Sequence, residues 1–157
     1  MATAAPTLTI AELGDVHDLE LGASDWVEIT QDQVSQFAEA TGDRQWIHVD
    51  PERAASGPFG GPIAHGYLTL SLLPWLLPQL LRISDQTMGV NYGIEKVRFV
   101  SPVPVGSRVR ARATLLDSEP KAGGMLNRIA VQVEVEGQEK PAMVGEVLFL
   151  AFGSPDA

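Results

Sequence analysis

The chain contains no cysteine, few basic residues and no long uninterrupted apolar run. The absence of cysteine among its 157 residues excludes disulfides and thiolate metal sites, and it fits a reducing compartment. Lysine and arginine number 11 against 20 aspartate and glutamate residues, which gives a formal net charge of -9. Because surfaces that bind nucleic acid or anionic membranes need concentrated positive charge, we expect neither kind of partner.

No targeting or membrane-spanning segment is visible in the sequence. Residues Met1 to Leu8 lack the basic and apolar regions of a secretory signal. The longest apolar stretch, Tyr67 to Leu81, is short for a membrane span and is interrupted by Pro74 and Pro78. We therefore expect a cytoplasmic protein with no contact with a membrane.

Size and composition are typical of one globular domain. Hydrophobic residues make up 45% of the chain and charged residues 20%, a balance that favours a folded core over disorder. A chain of this length buries about 70% of its unfolded surface. We predict a single domain over residues 1–157, with loose tails at about 1–6 and 153–157.

The first half of the chain carries helix signals. A helix is predicted from Thr30 to Thr41, with Thr30 as N-cap, Gln33 completing a capping box and Gly42 as the C-terminal stop. Asp50-Pro51 marks a second helix start, because aspartate caps well and proline fits the first helical position. The glycines and prolines of residues 56–62 predict a loop.

The second half of the chain changes to strand-like patterning. Before this change, an apolar helix is predicted to begin near Ala64 and to run through the leucines. Pro74 and Pro78 should kink it or end it early. Because it is apolar nearly all round, we expect it to be buried on most sides. From Tyr92 onward apolar and polar residues alternate, as in the runs Val109 to Ala113 and Ile129 to Val135. These patterns predict an α+β domain in which a buried helix lies against an antiparallel sheet.

Asp43 and His48 are the first candidates for chemistry. Both lie on irregular backbone between predicted helices, where catalytic side chains are commonly displayed. A carboxylate and an imidazole that come close together can hold one water molecule and move its protons. However, aspartate after glycine is also a common turn residue, and a lone histidine is often structural. Spacing alone favours the structural interpretation.

Gly66 opens the predicted apolar helix. Free backbone N–H groups at this position favour a developing oxyanion, and glycine lets a ligand carbonyl come close. Taken alone, Gly66 is more simply explained as a glycine that permits tight packing. His65 is expected to be a neutral structural residue at the helix start, and Ser71 to hydrogen-bond back to the preceding turn.

Neither a metal nor a cofactor is predicted. The histidines His17, His48 and His65 are too scattered for metal-ligand spacing, and no glycine-rich phosphate loop follows a strand. Five basic residues are candidates for phosphate contacts, although alternating arginines are more often the solvated face of a strand. These residues are Lys96, Arg98, Arg108, Arg110 and Arg112.

A long motif extends from Phe37 to Ser71. Its residues are Phe37-Ala38, Gly42-Asp43, Ile47-His48-Val49-Asp50, Phe59-Gly60, Pro62-Ile63-Ala64-His65-Gly66 and Leu68. This motif resembles the MaoC-like dehydratase family, which includes the (R)-specific enoyl-CoA hydratases, and within it the branch of nodulation protein N. The order of predicted elements agrees with that family over nearly the whole chain.

The resemblance implies a fold, an assembly and a reaction. The fold is the hot-dog fold, in which a long central helix is wrapped by an antiparallel β-sheet, and the assembly is a homodimer. The reaction is the addition of water to a trans-2-enoyl-CoA to give the (R)-3-hydroxyacyl-CoA. Asp43 and His48 are implied to activate the water, and the Gly66 N–H to polarise the thioester carbonyl.

The chain also departs from the family pattern at the expected acyl pocket. Gln45-Trp46 stands where the family often has Asn-Pro, Tyr67 replaces a frequent methionine, and Pro74 is unusual in the helix. The acyl chain length and branching are therefore left open. The residues expected to contact the substrate are Gln45, Trp46, Ile63, Ala64, His65, Tyr67 and Ser71.

Two other functions remain open at the level of sequence. The first is an acyl-CoA thioesterase of the same fold; the absence of Asp and Glu between Gly66 and Arg82 counts against it. The second is a non-catalytic protein that binds acyl-CoA. The sequence also leaves open the direction of the reaction and whether the acyl carrier is CoA or acyl carrier protein.

Overall fold

The computed structural model describes residues 4–154. The outermost residues of the two predicted tails, 1–3 and 155–157, lie outside the described residues. The helices are α1 (Ile10–Leu13), α2 (Gln31–Thr41), α3 (Trp46–Val49), α4 (Pro51–Ala55), α5 (Gly66–Ser71), α6 (Leu73–Leu76) and a 3-10 turn at Leu77–Gln79. The strands are β1 (Thr7–Leu8), β2 (Leu19–Ala23), β3 (Val27–Glu28), β4 (Arg82–Ile83), β5 (Met88–Phe99), β6 (Arg108–Lys121), β7 (Gly124–Val135) and β8 (Met143–Phe152).

Helix α2 begins and ends as its sequence predicts. The Thr30 hydroxyl accepts a hydrogen bond from the Gln33 N–H at 3.2 Å, and Gly42 closes the helix with a φ of 85°, which glycine adopts without strain. The predicted capping box is wrong in its second half. The Oε1 of Gln33 is buried without a hydrogen-bond partner, so it does not return to the Thr30 N–H.

The Asp50-Pro51 signal is confirmed. Asp50 caps α4 by accepting from the Arg53 N–H at 3.0 Å, and Pro51 occupies the first turn. Residues 56–62 form neither helix nor strand, as their glycines and prolines predict. Helix α3 lies between helices α2 and α4 along the chain, and it packs against both of them.

The central helical stretch consists of three short segments, α5, α6 and the 3-10 turn. Pro74 and Pro78 interrupt it because proline provides no N–H for the helical ladder. One side of the stretch packs into the core, where Leu76 is fully buried. The expectation of burial on most sides is wrong, since Tyr67 and Trp75 on the other side are 68% and 57% exposed. Within residues 4–154, no element covers these two side chains.

The main sheet is antiparallel, with strands in the order β2-β6-β7-β8-β5 and β3 paired to β6; a small parallel pair joins β1 to β4. Val109 lies opposite Val135 and Ala111 opposite Val133, and all four side chains face the core. The period-two prediction is confirmed, because alternate residues of a strand point to opposite faces. The sheet and the central helical stretch form the expected hot-dog fold.

Strand β5 is an unpaired edge of the sheet in the described chain. It hydrogen-bonds to β8 on one side only. Its apolar side chains are about half exposed, among them Met88, Tyr92 and Ile94. Within residues 4–154, no helix is both long enough and apolar enough to cross a membrane.

Candidate active site

Asp43 follows directly after the glycine that ends α2. Its Oδ1 accepts hydrogen bonds from the side-chain Nε2 of Gln45 at 3.2 Å and from the Gln45 backbone N–H at 3.4 Å. The role of Gln45 as a ligand contact stays a prediction. Gln45 orients the carboxylate of Asp43.

His48 lies on α3 and is 5% exposed. Its Nδ1 is 2.6 Å from the carbonyl oxygen of Ile63, and because a carbonyl only accepts, Nδ1 carries the proton. The neutral ring therefore presents an unprotonated Nε2. The backbone carbonyl of His48 accepts from Gln31 Nε2 at 2.8 Å, which fixes the residue from the side of α2.

His65 lies directly beside His48, although the sequence spacing indicates scattered histidines. The two rings stack with centroids 3.9 Å apart and planes at 24°, and Phe37 packs on His65 at 4.8 Å. The Nε2 of His65 donates to the Asp43 carbonyl oxygen at 2.9 Å. Its Nδ1 is then unprotonated, and among the described residues this buried atom has no hydrogen-bond partner.

The protonation states of Asp43 and His48 are set by their environment. Burial lowers the pKa of His48 below its ordinary value, and the neighbouring His65 adds to this, while Ile63 and Asp43 act against it. Burial raises the pKa of Asp43, but the hydrogen bonds from Gln45 and the electrostatic influence of His48 and His65 lower it by more, so the net shift is downward. At neutral pH the site therefore holds a carboxylate beside a neutral imidazole.

Asp43, His48 and His65 each present one atom that could ligate a metal, and these atoms lie within 4.8 Å of one another. The stacked rings argue against a shared cation, because lone pairs in nearly parallel planes do not converge on one point. A carboxylate oxygen and an imidazole nitrogen at this separation instead suit one water molecule held between them.

Gly66 is the first residue of α5, and in the described part of the chain its N–H has no acceptor. A Cβ at this position would lie 2.9 Å from the Cγ of Phe99, which is closer than real Cβ contacts allow. Tight packing against Phe99 thus explains the glycine, as the simpler interpretation expects. The free N–H beside His65 is compatible with the second role, an oxyanion donor.

The other residues expected to contact the substrate differ in their burial and in their neighbours. Ile63 and Ala64 are buried, and Ile63 holds His48 through its carbonyl. The Trp46 ring lies under the guanidinium of Arg53, 4.4 Å from its centroid. Tyr67 is exposed and contacts Phe99 edge-on at 5.7 Å.

Ser71 behaves as a helix residue. Its hydroxyl donates to the Tyr67 carbonyl at 2.6 Å, as the sequence predicts. It also lines a cavity of about 770 Å³ between the central helical stretch and strands β5, β7 and β8. The walls are mainly apolar, with Leu73, Leu77 and Ile129 among them.

Most of the basic strand residues are neutralised within the protein. Arg108 pairs with Glu136, and Arg110 and Arg112 both pair with Glu134. The interpretation of alternating arginines as the solvated face of a strand is therefore correct for these three. Within residues 4–154, Lys96 and Arg98 have no carboxylate within 4.0 Å.

Sequence reasoning missed three parts of the site. Gln31, Phe99 and the apolar cavity all depend on contacts between distant segments: Gln31 reaches His48 across 17 residues, and Phe99 reaches Gly66 across 33. A glutamine in the first turn of a helix and an aromatic residue in a strand are too common to indicate function. No local signal identified them.

Comparison with known proteins identifies the family of this chain. The family model described as MaoC like domain matches residues 12–139. The chain is 52% identical over 139 residues to the 3-hydroxyacyl-thioester dehydratase Z of Mycobacterium tuberculosis, covering 88% of this chain and 92% of that protein. It is 42% identical over 151 residues to nodulation protein N of Rhizobium meliloti, covering 94% of each.

Solved structures with the same fold include (R)-hydratases. The unliganded R-hydratase PhaJ1 from Pseudomonas aeruginosa superposes with a TM-score of 0.75 at 25% identity, covering 94% of this chain and 87% of that one. The (R)-hydratase from A. caviae gives a TM-score of 0.67 at 26% identity, covering 85% and 98%. By fold, by motif and by sequence identity, this chain belongs to the MaoC-like dehydratase family.

Proposed function

We propose that this protein is an (R)-specific hydratase that adds water to trans-2-enoyl-CoA to give (R)-3-hydroxyacyl-CoA. One observation carries the proposal: the Ile63 carbonyl fixes His48 as the Nδ1–H tautomer, which leaves Nε2 unprotonated, in a residue whose imidazole comes within 4.8 Å of the Asp43 carboxylate. Two acceptors of this kind bind a water molecule through both of its protons. The (R) configuration is taken from the R-hydratases that share the fold.

In the hydration direction, the bound water attacks the substrate at C3. Its oxygen forms the new C3–O bond while one of its protons passes to His48 Nε2. The electron pair of the C2–C3 double bond moves toward the thioester carbonyl to give an enolate. His48 then returns the proton to C2, so the water is added completely and the imidazole is neutral again. Asp43 holds the water and stabilises the transient imidazolium.

The Gly66 N–H is proposed to bind the thioester oxygen during this step. Its hydrogen has no acceptor in the described chain, and it lies in the residue next to His65, which stacks on His48. A preorganised donor stabilises the charge that develops on the enolate oxygen, and losing one such donor typically reduces the rate by roughly 10²–10³.

The apolar cavity is proposed to hold the acyl chain. Its lining includes Leu70 and Ser71, about one helical turn beyond Gly66, and further residues of the central helical stretch such as Leu73 and Leu77. Its volume of about 770 Å³ lies within the usual range for small-molecule sites of about 300–1,000 Å³. We therefore expect medium-chain enoyl groups to be accepted as well as the four-carbon crotonyl group.

A homodimer is proposed from the free edge of β5. Long apolar edge strands promote association, and pairing two copies edge to edge would satisfy the open backbone groups and cover Tyr92 and Ile94. Replacing Ile94 with lysine should shift the protein to monomer in sedimentation velocity. Glu139→Gln on an exposed turn makes the same change in charge and should leave the dimer intact. A dimeric Ile94→Lys variant would place the interface elsewhere.

The function is tested by following the absorbance of the conjugated thioester with crotonyl-CoA and with octenoyl-CoA. We expect loss of absorbance, formation of the (R)-3-hydroxyacyl product and no free thiol. Release of free CoA would instead identify a thioesterase. Binding of both thioesters without turnover, measured by calorimetry, would identify a non-catalytic acyl-CoA-binding protein.

A further inference from the structure

We infer that His65 is a positioning residue that holds both members of the Asp43–His48 pair in their working geometry. The inference deepens the proposed function and rests on it. His65 contacts each member in a different way: it donates a hydrogen bond to the backbone of Asp43 and stacks its ring on that of His48. His65 is inferred to act on the reaction through these two residues.

The hydrogen bond to Asp43 crosses 22 residues of sequence. Asp43 lies on the loop after α2, and its other contacts are local: the two bonds from Gln45 and a long bond of 3.4 Å from its N–H to the Thr41 hydroxyl. None of these local bonds ties the loop to the central helical stretch. The His65 Nε2–H does so at 2.9 Å, which sets the distance between the carboxylate and the oxyanion donor at Gly66.

The stack acts on His48. The two ring centroids lie 3.9 Å apart, and Phe37 packs on His65 at 4.8 Å. His48 is therefore held between its Nδ1–H bond to Ile63 and the face of His65. An imidazole fixed by one bond alone can rotate about that bond, whereas a ring that is also stacked cannot.

The unpartnered Nδ1 of His65 shows that this arrangement does not serve stability alone. His65 is 2% exposed, and among the described residues its Nδ1 accepts nothing. A buried acceptor without a donor costs stability, and an apolar side chain of the same shape avoids that cost. A histidine at this position is explained by what its other nitrogen and its ring do for Asp43 and His48.

The charged or titratable groups that face His65 are Asp43 and His48; Phe37 on α2 is apolar. A second imidazole against His48 disfavours the protonated form of His48, and so helps to keep it neutral and able to accept a proton. Removing His65 should therefore raise the pH below which His48 becomes protonated.

The test compares His65→Phe with His65→Gln. Phenylalanine keeps the ring and the stack but removes the donor to Asp43, and glutamine keeps a donor near the Nε2 position but removes the ring. With octenoyl-CoA we expect kcat of His65→Phe to fall by about 10- to 100-fold, a range typical of small misplacements of catalytic groups, with KM changed less than about threefold. The fall in kcat should be smaller for His65→Gln than for His65→Phe. His17→Gln, on an exposed loop, should leave kcat unchanged.

A readout without turnover separates this inference from the proposed function. The NMR titration of His48 should give a higher pKa in both His65 variants than in the parent protein, while thermal unfolding shows both to be folded. If kcat of His65→Phe stays within about twofold and the His48 titration is unmoved, the positioning role is wrong. If the parent protein is inactive but the His48 titration still shifts, the proposed function fails and the coupling of His65 to His48 stands.

Discussion

Two regions of this molecule differ in the burial and the bonding partners of their polar side chains. One is the site around Asp43, His48 and His65, and the other is the face of the sheet opposite the core. On the sheet, cations and carboxylates are exposed and neutralise one another, as in the pair of Arg108 with Glu136. In the site, the imidazoles are buried and are held by backbone carbonyls and by stacking. No arginine or lysine carboxylate pair in residues 4–154 includes Asp43.

The difference supports the proposal that proton transfer takes place at the site around Asp43 and His48. An arginine paired with a glutamate at the surface stays charged at every physiological pH and neither gives nor takes a proton. A neutral histidine with one nitrogen bonded to a carbonyl has the other free for a proton. A count of charged residues would therefore favour the sheet as the place for proton transfer, whereas the geometry favours the site around Asp43 and His48.

The largest effect is expected from the proposed catalytic pair, Asp43 and His48. Asp43→Asn and His48→Gln should each reduce kcat/KM for octenoyl-CoA by roughly 10²–10⁴, the usual contribution of general acid–base catalysis. Thermal unfolding and sedimentation should show that both variants remain folded and associated. Retention of more than about a tenth of the activity by either one would remove that residue from the mechanism.

The pH dependence should show a single acid limb. The proposed mechanism requires neutral His48, whose pKa lies below the ordinary value of 6.5, so kcat/KM should be level at neutral pH and fall about tenfold per unit only below that value. The folded state favours the neutral ring, so the stability contribution of His48 is complete above pH 6.5 and is lost as the pH falls through the folded pKa. A limb above pH 6.5 would contradict the assignment of His48.

Gln45→Ala should have a moderate effect. It removes the side-chain hydrogen bond to the Asp43 Oδ1 at 3.2 Å, and one such bond is worth about 1 kcal/mol, or about fivefold in rate. The pKa of Asp43 should rise toward its ordinary value, because this bond lowers it. An unchanged kcat/KM would mean that the backbone N–H of Gln45 is sufficient to orient the carboxylate.

The smallest effect is expected on the opposite face of the sheet. Glu136→Gln removes the partner of Arg108 in a pair whose side chains are 51% and 43% exposed, and such pairs contribute at most about 1 kcal/mol. Urea unfolding should detect little change, and kcat/KM should stay within about twofold. A larger loss of activity would break the contrast between the two regions.

Local signals predicted the elements around the site well. Thr30, Gly42 and Asp50-Pro51 mark helix ends because each acts on its own neighbouring backbone, and all three are confirmed. The failures involve side chains whose contacts lie elsewhere. Gln33 matches the capping-box pattern but its oxygen has no partner, and the apolar helix is exposed at Trp75. Neither outcome can be read from residues nearby in sequence.

The sequence by itself determined the family, the order of the main helices and strands from α2 onward and the identity of the candidate pair, because caps, prolines, period-two alternation and a long motif are properties of neighbouring residues. Only the tertiary structure decided how that pair is held. The Ile63 carbonyl selects the tautomer of His48 from 15 residues away, and His65 reaches Asp43 across 22. A hydrogen bond or a ring stack of this kind exists only once the chain has folded, so its geometry is a property of the packing.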